Sequence, residues 1–186
     1  MWQLGDGSVA WLGLRAPLRE ITLDAARARL PCMTRLSAGD PVPAFEMTAD
    51  DGSTVSSESL RGSRYVLYFY PKDDTPGCTA QACDLRDSWS RVTGTGIELF
   101  GVSPDSVKSH VKFRQKYALP YRLLSDDGHR VAEAFGVWIE KKFAGRTYFG
   151  NERSTFVIGP NGRVEHVLAQ VKPAEHVDHL MEALAA

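Results

Sequence analysis

The stretch that most constrains the fold is "YVLYFY", residues 65–70. A continuous apolar run of this length offers no polar face to water, so it reads as a central strand buried on both sides. The segments around it supply the cover. "FEMTADDGSTVS" alternates around Asp-Gly as a hairpin ahead of it, and "CTAQACDLRDSWSRV" follows as a helix. The order then repeats, with "IELFGVS" (strand), "SVKSHVKFRQKYA" (helix), "YRLLSD" (short strand) and "HRVAEAFGV" (helix). "STFVIGPNGRVEHVLAQV" folds back around Asn161-Gly162, the strongest short hairpin signal, and "AEHVDHLMEALA" closes the chain as a helix.

This order implies one α/β domain with a mixed central sheet flanked by helices on both faces, as in a thioredoxin-like fold. At 186 residues and 43% hydrophobic, the chain suits one such domain plus an appendage. Residues 1–35 are read as an N-terminal extension and 36–186 as the domain. Within the extension "PLREITLDAARARL" fits either an amphipathic helix or a disordered leader, and both remain open. "VAWLGL" is short for a signal-peptide core, and Asp6, Glu20 and Asp24 are out of place in an organellar transit peptide. The net charge of −1, with basic residues scattered among acidic ones, gives no footprint for nucleic acid or an anionic membrane surface. No apolar run approaches the length of about 18 residues that a membrane-spanning helix needs. Three cysteines, an odd and sparse set, argue against a secreted disulfide framework and for a reducing compartment, the cytoplasm.

Function is sought at Cys78. Pro76 and Gly77 make a turn after the central strand, which puts Cys78 in the first turn of the next helix. Unpaired N–H groups and the positive end of the helix dipole favour a thiolate there, and they favour a negatively charged oxygen leaving its reaction partner. The competing reading is an inert buried thiol, since free cysteines are among the most buried residue types. Cys83 follows five residues later. On one unbroken helix the two would lie about 7.5 Å apart along the axis and roughly 140° apart around it. A disulfide needs Cα atoms within about 7 Å, so either the thiols never pair or pairing takes the helix apart.

"PKDDTPGCTAQACDLRD" resembles the active-site segment of peroxiredoxins, and Cys83 makes it similar to the peroxiredoxin Q, or bacterioferritin-comigratory-protein, subfamily. "GDPVPAFEM", "GVSPDSVKSHVKF" and "GVWIEKKFAGRTYFGNERSTFVI" extend the likeness from about Leu36 to the C-terminus, the last as a late loop and strand. The pattern Pro71, Thr75, Cys78 is highly specific; Cys-x-x-x-x-Cys alone is weak. The resemblance implies a thiol-dependent peroxidase acting on hydrogen peroxide and organic hydroperoxides. Cys78 would attack the peroxide and become a sulfenic acid, Cys83 would condense with it into an intramolecular disulfide, and thioredoxin or a similar thiol reductant would reduce that disulfide. Thr75 would accept from the peroxide and donate to the thiolate, and the Arg153 cation would stabilise thiolate and developing charge. Pro71 and Gly77 would shape the substrate pocket. No cofactor or metal is implied, and the subfamily favours a monomer.

Some positions depart from the pattern. Gln81 stands where the subfamily often has glutamate, and Asn151 and Gly159 are less usual neighbours of the arginine strand. Cys32 matches nothing in the family, lies just before Met33, a natural start for the domain, and is read as a bystander thiol. His176 and His179, three apart on the terminal helix, are read as a solvated face rather than a metal pair. Trp89, Phe113, Phe135 and Trp138 are read as core or pocket wall. Two rival functions are a binding protein of thioredoxin fold and a disulfide reductase without peroxidase activity. The first leaves Thr75 and Arg153 as coincidences, and the second usually carries Cys-x-x-Cys at this junction.

Overall fold

The computed structural model describes residues 34–143 and 145–186. The possible helix before Met33, and Cys32, lie outside these residues. The first strands among the described residues form the expected hairpin, β1 (Glu46–Ala49) and β2 (Thr54–Ser56), antiparallel with Asp51 and Gly52 in the turn. Gly52 takes a φ of 83°, which is why this turn wants glycine.

The central strand β3 (Tyr65–Phe69) is buried at every residue. It leads into α1 (Pro76–Asp87), and a break at Ser88 separates that helix from the short α2 (Trp89–Thr93). Then come β4 (Glu98–Ser103), α3 (Val107–Tyr117), β5 (Arg122–Ser125) and α4 (Arg130–Ala134). The late loop expected between residues 136 and 153 is instead a hairpin, β6 (Trp138–Phe143) with β7 (Arg146–Asn151), which forms a two-stranded sheet of its own. The hairpin β8 (Ser154–Ile158) and β9 (Val164–Leu168) follows, then a 3-10 turn (Pro173–Glu175) and α5 (His176–Ala185).

Among the described residues the main sheet has seven strands, in the order β2-β1-β5-β4-β3-β8-β9. β3 runs parallel to β4 and antiparallel to β8, and β4 runs parallel to β5, so the sheet is mixed, as expected. The continuous apolar run of β3 is explained by its two covered faces. Tyr65, Leu67 and Phe69 enter one core with Phe45, Phe100, Phe135 and Phe156, beneath α4. Val66, Tyr68 and Tyr70 enter a second core with Cys78, Leu85, Phe113 and Leu180, beneath α1, α3 and α5. Phe113 and Phe135 are buried and Trp89 and Trp138 pack against the cores, in keeping with their reading as core or wall.

His176 departs from its reading. It is fully buried, while His179 is exposed. The helical period accounts for this: His176, Leu180, Ala183 and Leu184 share the stripe of α5 that faces the sheet.

Candidate active site

The strand-to-helix junction at the C-terminal end of β3 builds the site. Thr75 is the N-cap of α1, Pro76 stands in its first turn, and Cys78 is the third residue of the helix. The first helical bond runs from Thr79 N to the Thr75 carbonyl at 2.8 Å. The N–H groups of Gly77 and Cys78, ahead of it, belong to the unpaired first turn. Cys78 is only 3% exposed, and with Gln81, Ala82 and Leu85 it forms the stripe of α1 turned to the core. Cys83 lies off that stripe, half-buried. Both thiols are free, and both sit on the one continuous helix that forbids their bonding.

Arg153 reaches the thiol from the segment between β7 and β8. Its Nη2 donates to Cys78 Sγ at 3.3 Å, and its Nη1 donates to Gln81 Oε1. The guanidinium thus brings a charged donor directly to the sulfur. Gly77 stands beside it: a Cβ there would lie 3.6 Å from Arg153 Nη2 and 3.8 Å from Pro173 Cγ, in ordinary van der Waals contact. Lys141 on β6 stands beside the same group, its Nζ donating to the Asn151 carbonyl. Burial, and then the charge of Arg153, lower the Lys141 pKa. Asn151 in turn donates from Nδ2 to the Tyr70 carbonyl at 3.2 Å, tying the β6–β7 hairpin to the end of β3.

Thr75 is placed differently from its expected role. Its hydroxyl donates to the Lys72 carbonyl at 3.1 Å and makes no cap bond to the helix. Its proton is therefore committed to the loop, and its lone pairs remain available as acceptors. Pro71 lies half-buried at the start of that loop.

The loop is held from behind by a buried polar network that sequence reasoning missed. Asp73 N donates to Asp105 Oδ2 at 2.7 Å, Tyr70 Oη donates to Asp73 Oδ1 at 2.7 Å, and Ser109 Oγ donates to Asp73 Oδ2 at 2.8 Å. His110 Nδ1 lies 2.9 Å from Asp73 Oδ2, while its Nε2 lies 3.2 Å from the Leu124 carbonyl. Burial, and then the neighbouring Asp73, push the Tyr70 phenol well above its ordinary pKa, so it stays a donor. Asp74, in left-handed backbone with a φ of 54°, is tied to Lys116 and Tyr117 of α3. These anchors fix the 71–75 loop to α3.

Sequence reasoning also missed His176. Its Nδ1 lies 2.8 Å from Gln81 Nε2 and its Nε2 lies 2.8 Å from Thr155 Oγ1, so neither nitrogen is turned to solvent as a metal ligand. The site thus joins Cys78, Gln81, Arg153 and His176, from three parts of the chain, about one thiol. It can stabilise a thiolate and a developing oxyanion at the same place.

Comparison with known proteins agrees with this chemistry. A model of the AhpC/TSA family matches residues 38–167. Peroxiredoxin Bcp of Bacillus subtilis is 46% identical over 149 residues, which cover 80% of this chain and 95% of that protein. Peroxiredoxin Bcp of Escherichia coli K12 is 42% identical over 152 residues, covering 82% and 97%. Among solved structures, the bacterioferritin comigratory protein of Xanthomonas campestris, described for its alkyl peroxide reduction activity, superposes with a TM-score of 0.74 at 35% identity, covering 80% of this chain and 98% of that one. With the family model spanning most of the chain and near-complete relatives well above 30% identity, the chain belongs to the AhpC/TSA family and, within it, to the peroxiredoxin Q/Bcp group of thiol-dependent peroxidases.

Proposed function

We propose that Cys78 is the peroxidatic residue of this peroxidase and Cys83 its resolving partner. The observation that carries the reading is the Cys78 thiol in the first turn of α1 with the Arg153 guanidinium 3.3 Å away. The Cys78 thiolate attacks one peroxide oxygen with its electron pair. The S–O bond forms as the O–O bond breaks, the sulfur is oxidised to a sulfenic acid, and the leaving oxygen departs as alcohol or water after taking a proton. Arg153 and the free N–H groups of the first turn stabilise the charge that develops on the departing oxygen. The Thr75 oxygen, with lone pairs to spare, accepts the peroxide O–H and orients it. Pro71 and Gly77 border the pocket.

Cys83 thiolate then attacks the Cys78 sulfur and expels hydroxide, which leaves as water, and the disulfide forms. A dithiol reductant, thioredoxin or a protein like it, attacks that disulfide, becomes oxidised in turn and returns both cysteines to thiols. We place the protein in the cytoplasm, in keeping with its sparse set of three cysteines, and as a monomer, which the resemblance to peroxiredoxin Q favours; no helix among the described residues is long and apolar enough to cross a membrane. The X. campestris relative's alkyl peroxide activity supports including organic hydroperoxides among the substrates.

The test is peroxide-dependent NADPH oxidation through thioredoxin and its reductase. Cys78→Ser abolishes peroxide consumption, whereas Cys83→Ser consumes about one equivalent and stalls. Full turnover by Cys83→Ser removes its resolving role, and activity in Cys78→Ser removes the whole assignment.

A further inference from the structure

His176 reaches Cys78 only through intermediaries, yet its protonation is dictated by them. A guanidinium can only donate, so the Gln81 amide must turn its oxygen to Arg153 Nη1. Its NH2 group then points the other way, at His176 Nδ1, 2.8 Å off. Because NH2 also only donates, Nδ1 must be the bare, accepting nitrogen. The ring proton is left to Nε2, which donates to Thr155 Oγ1 at 2.8 Å. A charged imidazolium would set N–H against NH2 and destroy the chain. Burial, with the charges of Arg153 and then His179 added, pushes the His176 pKa down to about 3, which keeps the ring neutral.

We propose that His176 is a positioning residue for the peroxide reaction: its neutral Nε2–H tautomer, held by Thr155, locks the Gln81 amide with its oxygen toward Arg153, and so holds the guanidinium on Cys78. This rests on the reading of Arg153 as the group that acts on the thiol. Glutamine is suited to the relay because it has two unlike ends, an acceptor for the cation and a donor for the imidazole, and it leaves the charge of Arg153 unneutralised. Without the acceptor at Nδ1, the Gln81 amide can flip and present NH2 to the guanidinium, which pushes Arg153 off its place.

The experiment measures two quantities in the full-length reduced protein: the second-order rate of Cys78 with hydrogen peroxide, and the pH profile of Cys78 alkylation by iodoacetamide. In His176→Leu the rate at neutral pH falls about tenfold or more and the alkylation profile moves to higher pH by about one unit. His176→Asn, whose Oδ1 can stand where Nδ1 stands, recovers most of both. Thr155→Val removes the acceptor that fixes the tautomer, and it shifts both quantities in the same direction by a smaller amount. A folded His176→Leu protein with the rate and profile of the unmutated chain overturns the proposal, as does His176→Asn failing as badly as His176→Leu. Should His176→Leu not fold, Gln81→Leu and Thr155→Val decide, and unaltered values in both overturn it. Arg153→Met, run alongside, separates two failures. If it too leaves the rate and profile alone, the role given to Arg153 is wrong; if only Arg153→Met slows the reaction, the relay behind it is wrong.

Discussion

Gly101 shows how little space lies behind the reactive helix. It sits on β4 opposite Tyr68 of β3, and a Cβ there would come within 2.7 Å of Tyr68 Oη and 2.8 Å of Leu123 Cδ2. Tyr68 Oη bonds Tyr121 Oη at 3.3 Å, and Tyr121 Oη donates to the Ala82 carbonyl of α1 at 3.1 Å. Gly101→Ala is expected to cost about 1–3 kcal/mol by overpacking, measured by urea denaturation. A loss inside the error of the measurement would mean that the strands yield more than the packing suggests. Thr75 carries a second expectation. Thr75→Val keeps the shape and removes the hydroxyl, so it slows the peroxide reaction about tenfold or more while the unfolding midpoint moves little; an unaltered rate leaves Thr75 as a loop residue bonded to Lys72. Pro71, Thr75 and Cys78, from one motif, and Arg153, from "NERSTF", were legible as candidates through the family resemblance, and the structure brings Cys78 and Arg153 to 3.3 Å. Asp73, His110 and His176 were not, since a buried polar residue is recognised by its partners, which lie here between 3 and 95 positions away in sequence. For His176 a signal did exist, its place on the apolar stripe of α5.

At the scale of elements, most strands and helices were legible, because β3 is covered on both faces and the hairpins turn at Asp51-Gly52 and Asn161-Gly162. The β6–β7 hairpin was not. "WIEKKF" and "RTYFGN" show no apolar alternation, since both faces of this ribbon remain partly open to solvent, and their Lys and Glu are depleted in strands generally. The element on which the reaction turns is α1. Cys78 and Cys83 are free on one helix, so the disulfide proposed between them requires that segment to unwind, with several hydrogen bonds of about 1 kcal/mol net each given up. Residues 78–87 should exchange amide hydrogens faster in the disulfide form than in the reduced form. Equal or slower exchange, with the disulfide confirmed by mass, would sink this account. The same opening would remove Gln81 from His176, leaving it beside the Thr155 hydroxyl, the Tyr68 ring, and the charges of Arg153 and His179. Closed, His176 is neutral with its pKa down at about 3; open, it moves back toward its ordinary 6.5. A proton is thus taken up on opening, so His176 stabilises the closed helix above pH 6.5 and progressively less as the pH falls toward 3. Protection factors of α1 in the reduced protein are expected to drop between pH 7.5 and 5.5, by less than the limiting tenfold per unit. In His176→Asn this pH dependence disappears; its persistence there would assign it to another group.

For the whole molecule, the question is where the folding unit begins. The family model starts at residue 38, but the packing of the described chain starts earlier. Leu36 N donates to the Phe135 carbonyl at 3.3 Å and the Leu36 side chain packs against the core under α4. Arg35 forms an ion pair with Glu152, which lies one residue before Arg153. Gly136, with a φ of 68°, stands so close that a Cβ would come within 2.5 Å of Arg35 Cα, so only glycine lets the two backbones meet. These contacts tie the entry segment both to the core and to the segment that presents the guanidinium. We therefore expect a chain shortened to begin at Met33 to fold, and to reduce peroxide at a rate within about twofold of the full chain, because it keeps Arg35 and Leu36. A chain shortened to begin at Ala38 loses the Arg35–Glu152 pair and the Leu36 packing, at a cost of about 2–4 kcal/mol in stability. Its peroxide rate should also fall, since Glu152 is freed to move beside Arg153. Unfolding curves and single-turnover rates on the two shortened chains separate the outcomes. Loss of fold in the Met33 chain would show that residues 1–32 are part of the unit, and an unaltered Ala38 chain would show that the entry segment adds nothing to it.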